Sequence, residues 1–373
     1  MSINRWQNNM NKNTDVCIVG AGPGGALLAY LLAKNNISTV LVERHSGIDK
    51  EFRGEHLNSE GEQILKKHHL YEKVKEYGLL LMDRVEYWNH NKIIKSIFPP
   101  QGSKHVGIHV PQNHLLNVIL NEANKYENLK LLMGTRVSKL IEDQNGRYIG
   151  VKVIKNGTEI TINSSIIVGA DGRFSTIRKL ANIHTDIIKH GYDLLWAKVP
   201  RPASWYPTVR LTLINKQQLA LFTQAGGFIQ IGWNIDEGSF PILRSKSFNP
   251  FVNQLIEAFP ELTETVQENI KSWNDFVLLN VQSSRSKTWV KDGLIIMGDA
   301  AHTMSPTAAL GVNIAMKDAD ILSEIIQNAI RNKDTSTIVL KKFEYARRGE
   351  VESLQKQQLT QESTFKHHFD VTI

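Results

Sequence analysis

The chain has 373 residues, of which 41% are hydrophobic, and its formal net charge is +7. This length is sufficient for two domains that share an interface, and the composition is typical of a globular protein, which excludes a disordered or fibrous chain. Basic residues are interspersed with acidic ones, so no nucleic-acid-binding track is expected, and no run of about 18 apolar residues predicts a membrane span.

The N-terminal region, first in chain order, bears on location. Residues 1–14 are polar and rich in asparagine, without the apolar segment of a signal peptide. Cys17 is the single cysteine, so no disulfide can form within the chain, which favours a reducing compartment. We therefore expect a cytoplasmic protein. We also expect a monomer or a homodimer.

The first predicted elements form a strand–turn–helix–strand unit. The apolar run at residues 16–19 predicts a strand buried on both faces, residues 22–34 predict a helix rich in Ala and Leu, and Thr39–Val42 predicts a second strand. The turn between the first strand and the helix contains four glycines: Gly20, Gly22, Gly24 and Gly25.

The glycine-rich turn is typical of a dinucleotide site. Glycine adopts the backbone expected at Gly20 at low cost, and a side chain at Gly22 would block a pyrophosphate. The helix N-terminus offers unpaired N–H groups and about half a positive charge to phosphates. Glu43, at the end of the second strand, is placed to accept hydrogen bonds from ribose hydroxyls. The unit predicts a Rossmann-like domain with a mostly parallel sheet.

The middle of the chain alternates between this domain and a second, antiparallel sheet. Residues 84–97 predict a hairpin that turns at residues 89–91, and residues 112–126 predict a helix. Further strands are predicted at residues 129–133, 137–142, 150–154, 159–163, 166–168, 192–199, 209–214, 219–222 and 228–235. Helices are expected at residues 249–259 and 261–270.

The last third of the chain returns to the first sheet and ends in helices. Residues 294–297 predict a buried strand, residues 311–328 a helix, and residues 336–361 a polar helix. The resulting α/β fold has a dinucleotide-binding domain at residues 1–83, 107–190 and 284–335, a substrate-binding domain at residues 84–106 and 191–283, and a C-terminal helical segment at residues 336–373.

Two later motifs extend the glycine-rich turn into a three-part pattern. They are Gly169-Ala-Asp171-Gly172 and Gly298-Asp299-Ala-Ala-His302, and each follows an apolar strand. In this order the three segments resemble the fingerprints of the FAD-dependent aromatic hydroxylases, the single-component flavoprotein monooxygenases of the para-hydroxybenzoate hydroxylase type. The resemblance extends over residues 14–350.

The resemblance implies a set of contacts to FAD. Asp299 would bind the ribityl chain, and the loop from Ser305 to Asn313 would lie beneath the isoalloxazine, where a helix N-terminus stabilises a flavin anion. Arg53 would face the pyrophosphate. The implied cofactor-binding residues are Gly20, Gly22, Gly24, Gly25, Glu43, Arg44, Arg53, Gln112, Val137, Asp171, Asp299, Pro306, Gly311, Val312 and Asn313.

Several of these positions have a second interpretation. Gln112 stands where many relatives carry arginine, which puts the strength of its contact in doubt. Val137 is equally a core valine, and Asp171 is equally a structural residue of a turn. His302 is either a proton relay or a hydrogen-bonded structural histidine, and the second is favoured.

The substrate site carries no recognisable motif. Trp196 and Trp233 are candidates to line a pocket for a flat molecule, although most aromatic residues of this region are expected in the core. Arg210 is a candidate to bind an acidic substrate group. The sequence identifies no catalytic residue and no metal ligand.

The resemblance implies a FAD-dependent monooxygenase. NADPH or NADH would reduce the FAD, O2 would add at the flavin C4a atom, and the hydroperoxide would hydroxylate an aromatic or polyketide-like small molecule. The sequence has no second glycine-rich fingerprint. The nicotinamide cofactor is therefore expected to bind transiently, or a partner flavin reductase to supply reduced flavin.

Three alternatives remain open at the level of sequence. A flavin-dependent reductase of the geranylgeranyl type is suggested by Arg53-Gly54-Glu55, and a flavin halogenase would share the fold, although the chain lacks a Trp-x-Trp-x-Ile-Pro segment. A binding protein of the GDP dissociation inhibitor type would not use flavin, and the intact glycines argue against it.

Overall fold

The computed structural model describes residues 11–48 and 55–369, and the predicted FAD contact Arg53 lies outside the described residues. The strands are β1 (Asn11–Val19), β2 (Thr39–Val42), β3 (His56–Leu57), β4 (Leu80–Met82), β5 (Arg84–Asn89), β6 (Lys92–Ile97), β7 (Gly107–His109), β8 (Leu129–Leu132), β9 (Thr135–Glu142), β10 (Tyr148–Lys155), β11 (Thr158–Gly169), β12 (Thr185–Pro200), β13 (Thr208–Ile214), β14 (Gln217–Gln224), β15 (Phe228–Asp236), β16 (Val277–Ser286), β17 (Val290–Lys291) and β18 (Leu294–Ile296). The helices are α1 (Pro23–Lys34), α2 (Ser59–Lys67), α3 (Tyr71–Tyr77), α4 (Gln112–Ala123), α5 (Thr176–Leu180), α6 (Phe240–Arg244), α7 (Asn249–Ala258), α8 (Thr263–Asn269), α9 (Leu310–Arg331) and α10 (Thr337–Thr364).

The first sheet is the Rossmann-like sheet that the sequence predicts. Its strands run in the order β17-β18-β11-β1-β2-β8, and the four pairs from β18 to β8 are parallel. Residues 16–19 of β1 and all of β2 are short apolar runs because both faces of the sheet are covered there, and α1 is buried from Gly24 to Ala33. Strand β1 itself starts earlier than predicted, at Asn11. The predicted strand Thr39–Val42 is confirmed at both ends.

Strand β11 differs from the expectation. The sequence predicted separate strands at residues 159–163 and 166–168, but one strand runs unbroken from Thr158 to Gly169. Its first half pairs antiparallel with β10, and its last three residues pair parallel with β18. The connecting residues Ser164 and Ser165 are polar but compatible with extended backbone, so they do not end the strand.

The second sheet has seven strands in the order β16-β12-β15-β14-β13-β5-β6, and only the β13–β5 pair is parallel within the described residues. One face packs against α7 and α8 through residues such as Leu195, Leu221, Ile231 and Leu255. We call this face the helix-covered face and the opposite one the inner face. Strands β12 and β16 cross the proposed domain limits at residues 190 and 284, so those limits stay a prediction.

A third sheet, β3-β7-β4, lies with α2 and α3 in residues 56–82 and 107–109, for which the sequence pattern predicts no element. Its strands have only two or three residues, too few to show an alternating pattern. At the other end of the chain, α9 and α10 pack against each other. None of the helices within the described ranges is both long and apolar enough to cross a membrane.

Candidate functional site

The three sequence motifs meet at one edge of the first sheet. Strands β18, β11 and β1 are neighbours and parallel, and each motif directly follows the carboxyl end of one of them. Ligands of open α/β sheets bind in the crevice at this edge. Segments that are far apart in the sequence are therefore placed around one site.

The glycine-rich turn is shaped by two different requirements. Gly20 has a φ of +105°, and a Cβ there would overlap the Ala170 carbonyl, so the fold itself requires glycine. Gly22 is the N-cap of α1, and a Cβ there would have no atom of the described residues within 4 Å. The open space in front of Gly22 faces the N-terminus of α1 and fits a pyrophosphate.

Glu43 is buried at the end of β2 and supports this turn directly. Its Oε2 accepts a hydrogen bond from the Ala21 N–H at 2.9 Å, and its Oε1 accepts one from the His45 N–H at 2.9 Å. The carboxylate therefore lies beside the glycine turn, as a ribose-binding acid requires. The neighbouring Arg44 is exposed.

The side chains of the second motif make structural hydrogen bonds to α5 and to the third motif. Asp171 accepts hydrogen bonds from the Thr176 N–H at 2.6 Å and the Ile177 N–H at 3.1 Å, and so caps α5. Burial raises the pKa of Asp171. Arg178 donates to the Ala300 carbonyl at 2.8 Å and to the Arg173 carbonyl at 2.9 Å, which connects this motif to the third. The geometry supports the structural interpretation of Asp171.

Asp299 is half-buried at the start of the third motif. Burial lowers the pKa of Arg173 and of Arg178, and the charge of Asp299 opposes that shift in both. Asp299 therefore lies within the field of two arginines. This arrangement places a carboxylate and two positive charges at the same edge of the sheet.

A buried ionic network fixes the backbone beneath Asp299. Asp318 of α9 accepts hydrogen bonds from the Gly298 N–H at 2.9 Å and from Arg347 Nε at 2.8 Å, and its carboxylate contacts His302 Nε2 at 2.7 Å. Burial raises the pKa of Asp318, but His302 and Arg347 outweigh it and hold the pKa below its usual value. His302 is thus hydrogen-bonded within the core, in agreement with its structural interpretation.

The loop before α9 has a strained backbone. Ala308 and Ala309 have φ values of 60° and 52°, which are unfavourable for alanine and are found at functional sites when the surroundings enforce them. The N–H groups of the first turn of α9 have no partner within the helix, and this turn contains Gly311 and Val312. Together with Pro306, they form the predicted flavin-facing segment.

The side chain of Asn313 is used by the protein itself. Its Nδ2 donates to the His56 carbonyl at 3.1 Å and to the Ala309 carbonyl at 2.9 Å, and its Oδ1 accepts from the Asn58 N–H at 3.1 Å. Asn313 therefore attaches α9 to β3 and to the start of α2.

Gln112 and Val137 are placed differently from each other. Gln112 is the first residue of α4, and its N–H donates to Glu55 Oε1 at 3.2 Å. Val137 is buried in β9 and pairs with Val153 of β10. This position agrees with the alternative of a core valine.

The substrate candidates Arg210 and Trp233 require correction. Arg210 is buried on the helix-covered face, where its guanidinium forms ion pairs with Glu86 and Glu261. Trp233 stacks on Phe251 of α7, with ring centroids 4.0 Å apart. The sequence could not show which face of the sheet each residue occupies, and both belong to the core.

Trp196, the other candidate to line a substrate pocket, lies on the inner face. It pairs with Gly232, so its ring has the room that a glycine leaves, and its centroid is 6.1 Å from that of Phe222. Both rings are half-buried. The inner face contacts the first domain on either side of them, through Tyr192 and Thr307 at 3.1 Å and through Gln224 and Glu55 at 3.2 Å.

Three residues of α10 contact the candidate site, although none of them belongs to a sequence motif. Gln355, Gln358 and Glu362 are spaced by three and four positions, so they share one face of the helix. All three make hydrogen bonds to the segment 303–307. The spacing of these polar residues was the available signal, but a polar row usually indicates a solvated face.

Comparison with known proteins agrees with this geometry. The model of the family described as "FAD binding domain" matches residues 13–356. The 6-methylpretetramide 4-monooxygenase of Streptomyces rimosus is 32% identical over 352 residues, which cover 94% of this chain and 84% of that protein. The digeranylgeranylglycerophospholipid reductase of Methanocaldococcus jannaschii is 25% identical over 355 residues, which cover 90% of this chain and 82% of that protein.

Among solved structures, the fold is shared with a protein described as a probable FAD-dependent monooxygenase from Pseudomonas aeruginosa. The TM-score is 0.83 at 18% identity, and the match covers 96% of this chain and 100% of the other. At this identity the likeness concerns the fold.

Proposed function

The chain belongs to the FAD binding domain family and is a FAD-dependent monooxygenase, and we propose that it uses NADPH or NADH and O2 to hydroxylate an aromatic or polyketide-like small molecule. When bound, FAD supplies the redox and oxygen chemistry of this reaction. The protein supplies binding, orientation and the exclusion of water. The predicted cytoplasmic location and the monomeric or dimeric state stay part of the proposal.

The residues at the edge of the first sheet fit FAD. The N-terminus of α1 and the open space at Gly22 would hold the pyrophosphate, and Glu43 would accept hydrogen bonds from the adenosine ribose. Asp299 would bind the ribityl chain. The first turn of α9 would direct its N–H groups to the flavin ring, where a helix N-terminus favours negative charge.

The inner face of the second sheet supports the substrate class. Trp196 and Phe222 present half-buried aromatic rings there, whereas the aromatic residues of the other face are packed against α7 and α8. Flat aromatic side chains favour a flat, electron-rich ligand. The relative from Streptomyces rimosus is named for 6-methylpretetramide, and we infer a related kind of substrate here.

The single observation that carries the assignment is the 32% identity to that monooxygenase across 94% of the chain. The purified protein should show the absorbance of bound flavin near about 450 nm. Aromatic and polyketide-like compounds should then be screened for stimulation of NAD(P)H oxidation, and the product mass measured for the gain of one oxygen atom.

The same screen separates the alternatives. A reductase would convert its substrate under anaerobic conditions and give a more saturated product. The relative from Methanocaldococcus jannaschii makes this the second candidate. Comparing NADH, NADPH and reduced flavin supplied by a separate reductase identifies the electron donor.

A further inference from the structure

Glu362, near the end of α10, joins two parts of the site through one carboxylate. Its Oε1 accepts hydrogen bonds from Ser305 Oγ at 2.7 Å, Thr307 Oγ1 at 2.5 Å and Tyr192 Oη at 3.2 Å. Its Oε2 contacts His190 Nδ1 at 2.5 Å. Two of these partners belong to the loop before α9, and the other two belong to β12.

The surroundings favour a charged carboxylate. Burial raises the pKa of Glu362, but hydrogen bonds from His190, Thr307 and Ser305 outweigh it and hold the pKa below its usual value. His190 is itself fixed, because its Nε2 lies 2.8 Å from Ser283 Oγ. A buried carboxylate persists only where several donors satisfy it, and these donors do so.

The loop that Glu362 holds has few restraints of its own. Its two alanines, Ala308 and Ala309, have left-handed backbone, which requires external support. Gln358 supplies part of that support, since its Nε2 donates to the carbonyls of Ser305 at 3.0 Å and Thr307 at 2.6 Å. The polar groups of the loop are therefore directed toward α10. The N–H groups of the first turn of α9 would then face the flavin.

Tyr192 extends this support to the second sheet. It lies on the same face of β12 as Trp196, because the pairing with β15 is regular from Tyr192 to Pro200 and the two residues are four positions apart. Its hydroxyl also lies 3.1 Å from Thr307 Oγ1. The loop and the inner face thus meet at the Glu362 carboxylate.

We propose that Glu362 is a positioning residue of the FAD site, which presets the loop of residues 305–309 through the hydroxyls of Ser305 and Thr307 and attaches it to the inner face through Tyr192. This inference rests on the proposed function, because the loop faces FAD in that function. It makes the C-terminal helix part of the cofactor site.

The test is FAD affinity of the full-length apoprotein, measured by quenching of flavin fluorescence. Glu362→Ala should raise the Kd for FAD by about tenfold or more, since the loop loses two hydrogen bonds to a charged group. Glu362→Gln should restore part of the affinity, because its amide oxygen still accepts from the hydroxyls. The matched control is Glu352→Gln on the same helix, whose carboxylate contacts Arg348 at 3.3 Å, and its Kd should equal that of the wild type.

Circular dichroism and apoprotein melting accompany each titration. A Glu362→Ala protein that is folded and binds FAD like the wild type overturns the proposal, whether or not its melting temperature falls. If that variant does not fold, Thr307→Val decides the matter, because it removes one donor with little change in shape. An unchanged Kd for Thr307→Val then overturns the proposal, and a Kd raised a few-fold supports it. Failure of the wild type to bind FAD would instead refute the proposed function.

Discussion

At the scale of single residues, Asp299 is the sharpest test of the cofactor site. It follows β18, is half-buried, and lies in the field of Arg173 and Arg178. Asp299→Ala should weaken FAD binding by about ten- to a hundredfold, the range expected for losing hydrogen bonds to a charged group. The measurement is a FAD titration of the apoprotein. Asp186→Ala, at an exposed ion pair with Lys287, is the control and should leave the Kd unchanged.

Substitutions at two glycines of the same turn should have different effects on stability and FAD binding. Gly22→Val should leave the unfolding free energy within about 1 kcal/mol of the wild type, because its Cβ meets no described atom within 4 Å, yet FAD binding should be lost. Gly20→Ala should destabilise the apoprotein by roughly 1–3 kcal/mol, because its φ is +105° and its Cβ would overlap Ala170. Urea unfolding and FAD titration of both variants check the contrast. Equal loss of stability in the two would contradict it.

The residues of the cofactor and substrate sites could be predicted only in part. The glycines, Glu43 and Asp299 lie where the motifs placed them, because their positions follow from the backbone turn after a parallel strand. Arg210 could not be placed, since its partner Glu261 is 51 positions away and nothing local shows that they meet. Trp196 and Trp233 look alike in sequence, and only the register of β12 and β15 separates their faces.

At the scale of elements, α10 holds the loop of residues 305–309 through side chains that point inward. Gln358 is fully buried and satisfies the Ser305 N–H and two loop carbonyls. Gln358→Ala should lower the unfolding free energy by about 1–3 kcal/mol, because these buried groups lose their partner. Its neighbour Gln357 is exposed, so Gln357→Ala should change stability by less than about 0.5 kcal/mol. Denaturant unfolding of the two single variants measures both unfolding free energies. Similar decreases in the two variants would contradict the role assigned to Gln358.

The elements themselves follow largely from hydrophobic pattern. Helices α1 and α9 and strands β2 and β13 to β15 lie close to their predicted limits, because each has one continuous apolar face or run. Strand β1 begins at Asn11, before the predicted start at residue 16, because its polar first residues also pair with β11. The division of β11 was wrong because two serines interrupt the apolar run without ending the strand. The role of α10 could not be predicted, since its buried row is polar and its partners lie in the loop that precedes α9.

At the scale of the whole molecule, the site is assembled by topology. Three segments that end near residues 25, 173 and 302 become neighbours because β1, β11 and β18 are adjacent and parallel. Helix α9 then connects the third segment to the rest of the core, and α10 connects it to the second sheet through Glu362 and Tyr192. Stability and cofactor binding are therefore expected to share residues at the centre of the molecule.

Asp318 is the residue at which the contribution of this central region to the unfolding free energy can be measured. It is fully buried, and its pKa is held below the ordinary value near 3.8 by His302 and Arg347. Because the folded state binds the proton less readily than the unfolded state, the carboxylate stabilises the fold at neutral pH, and that contribution is lost as the pH falls below about 4. The unfolding free energy of the wild type, measured by urea at successive pH values, should therefore decrease in that range.

Asp318→Asn isolates this contribution. The variant should be less stable than the wild type at pH 7, because the buried charge of Arg347 loses one of its two carboxylate partners, Asp318, and keeps Glu350. The difference in unfolding free energy between the two proteins should narrow as the pH falls below about 4, since the carboxylate of the unfolded wild-type chain then takes up a proton and unfolding becomes more favourable. A difference that stays constant from pH 7 to pH 3 would show that the charge of Asp318 does not stabilise the junction of β18, α9 and α10.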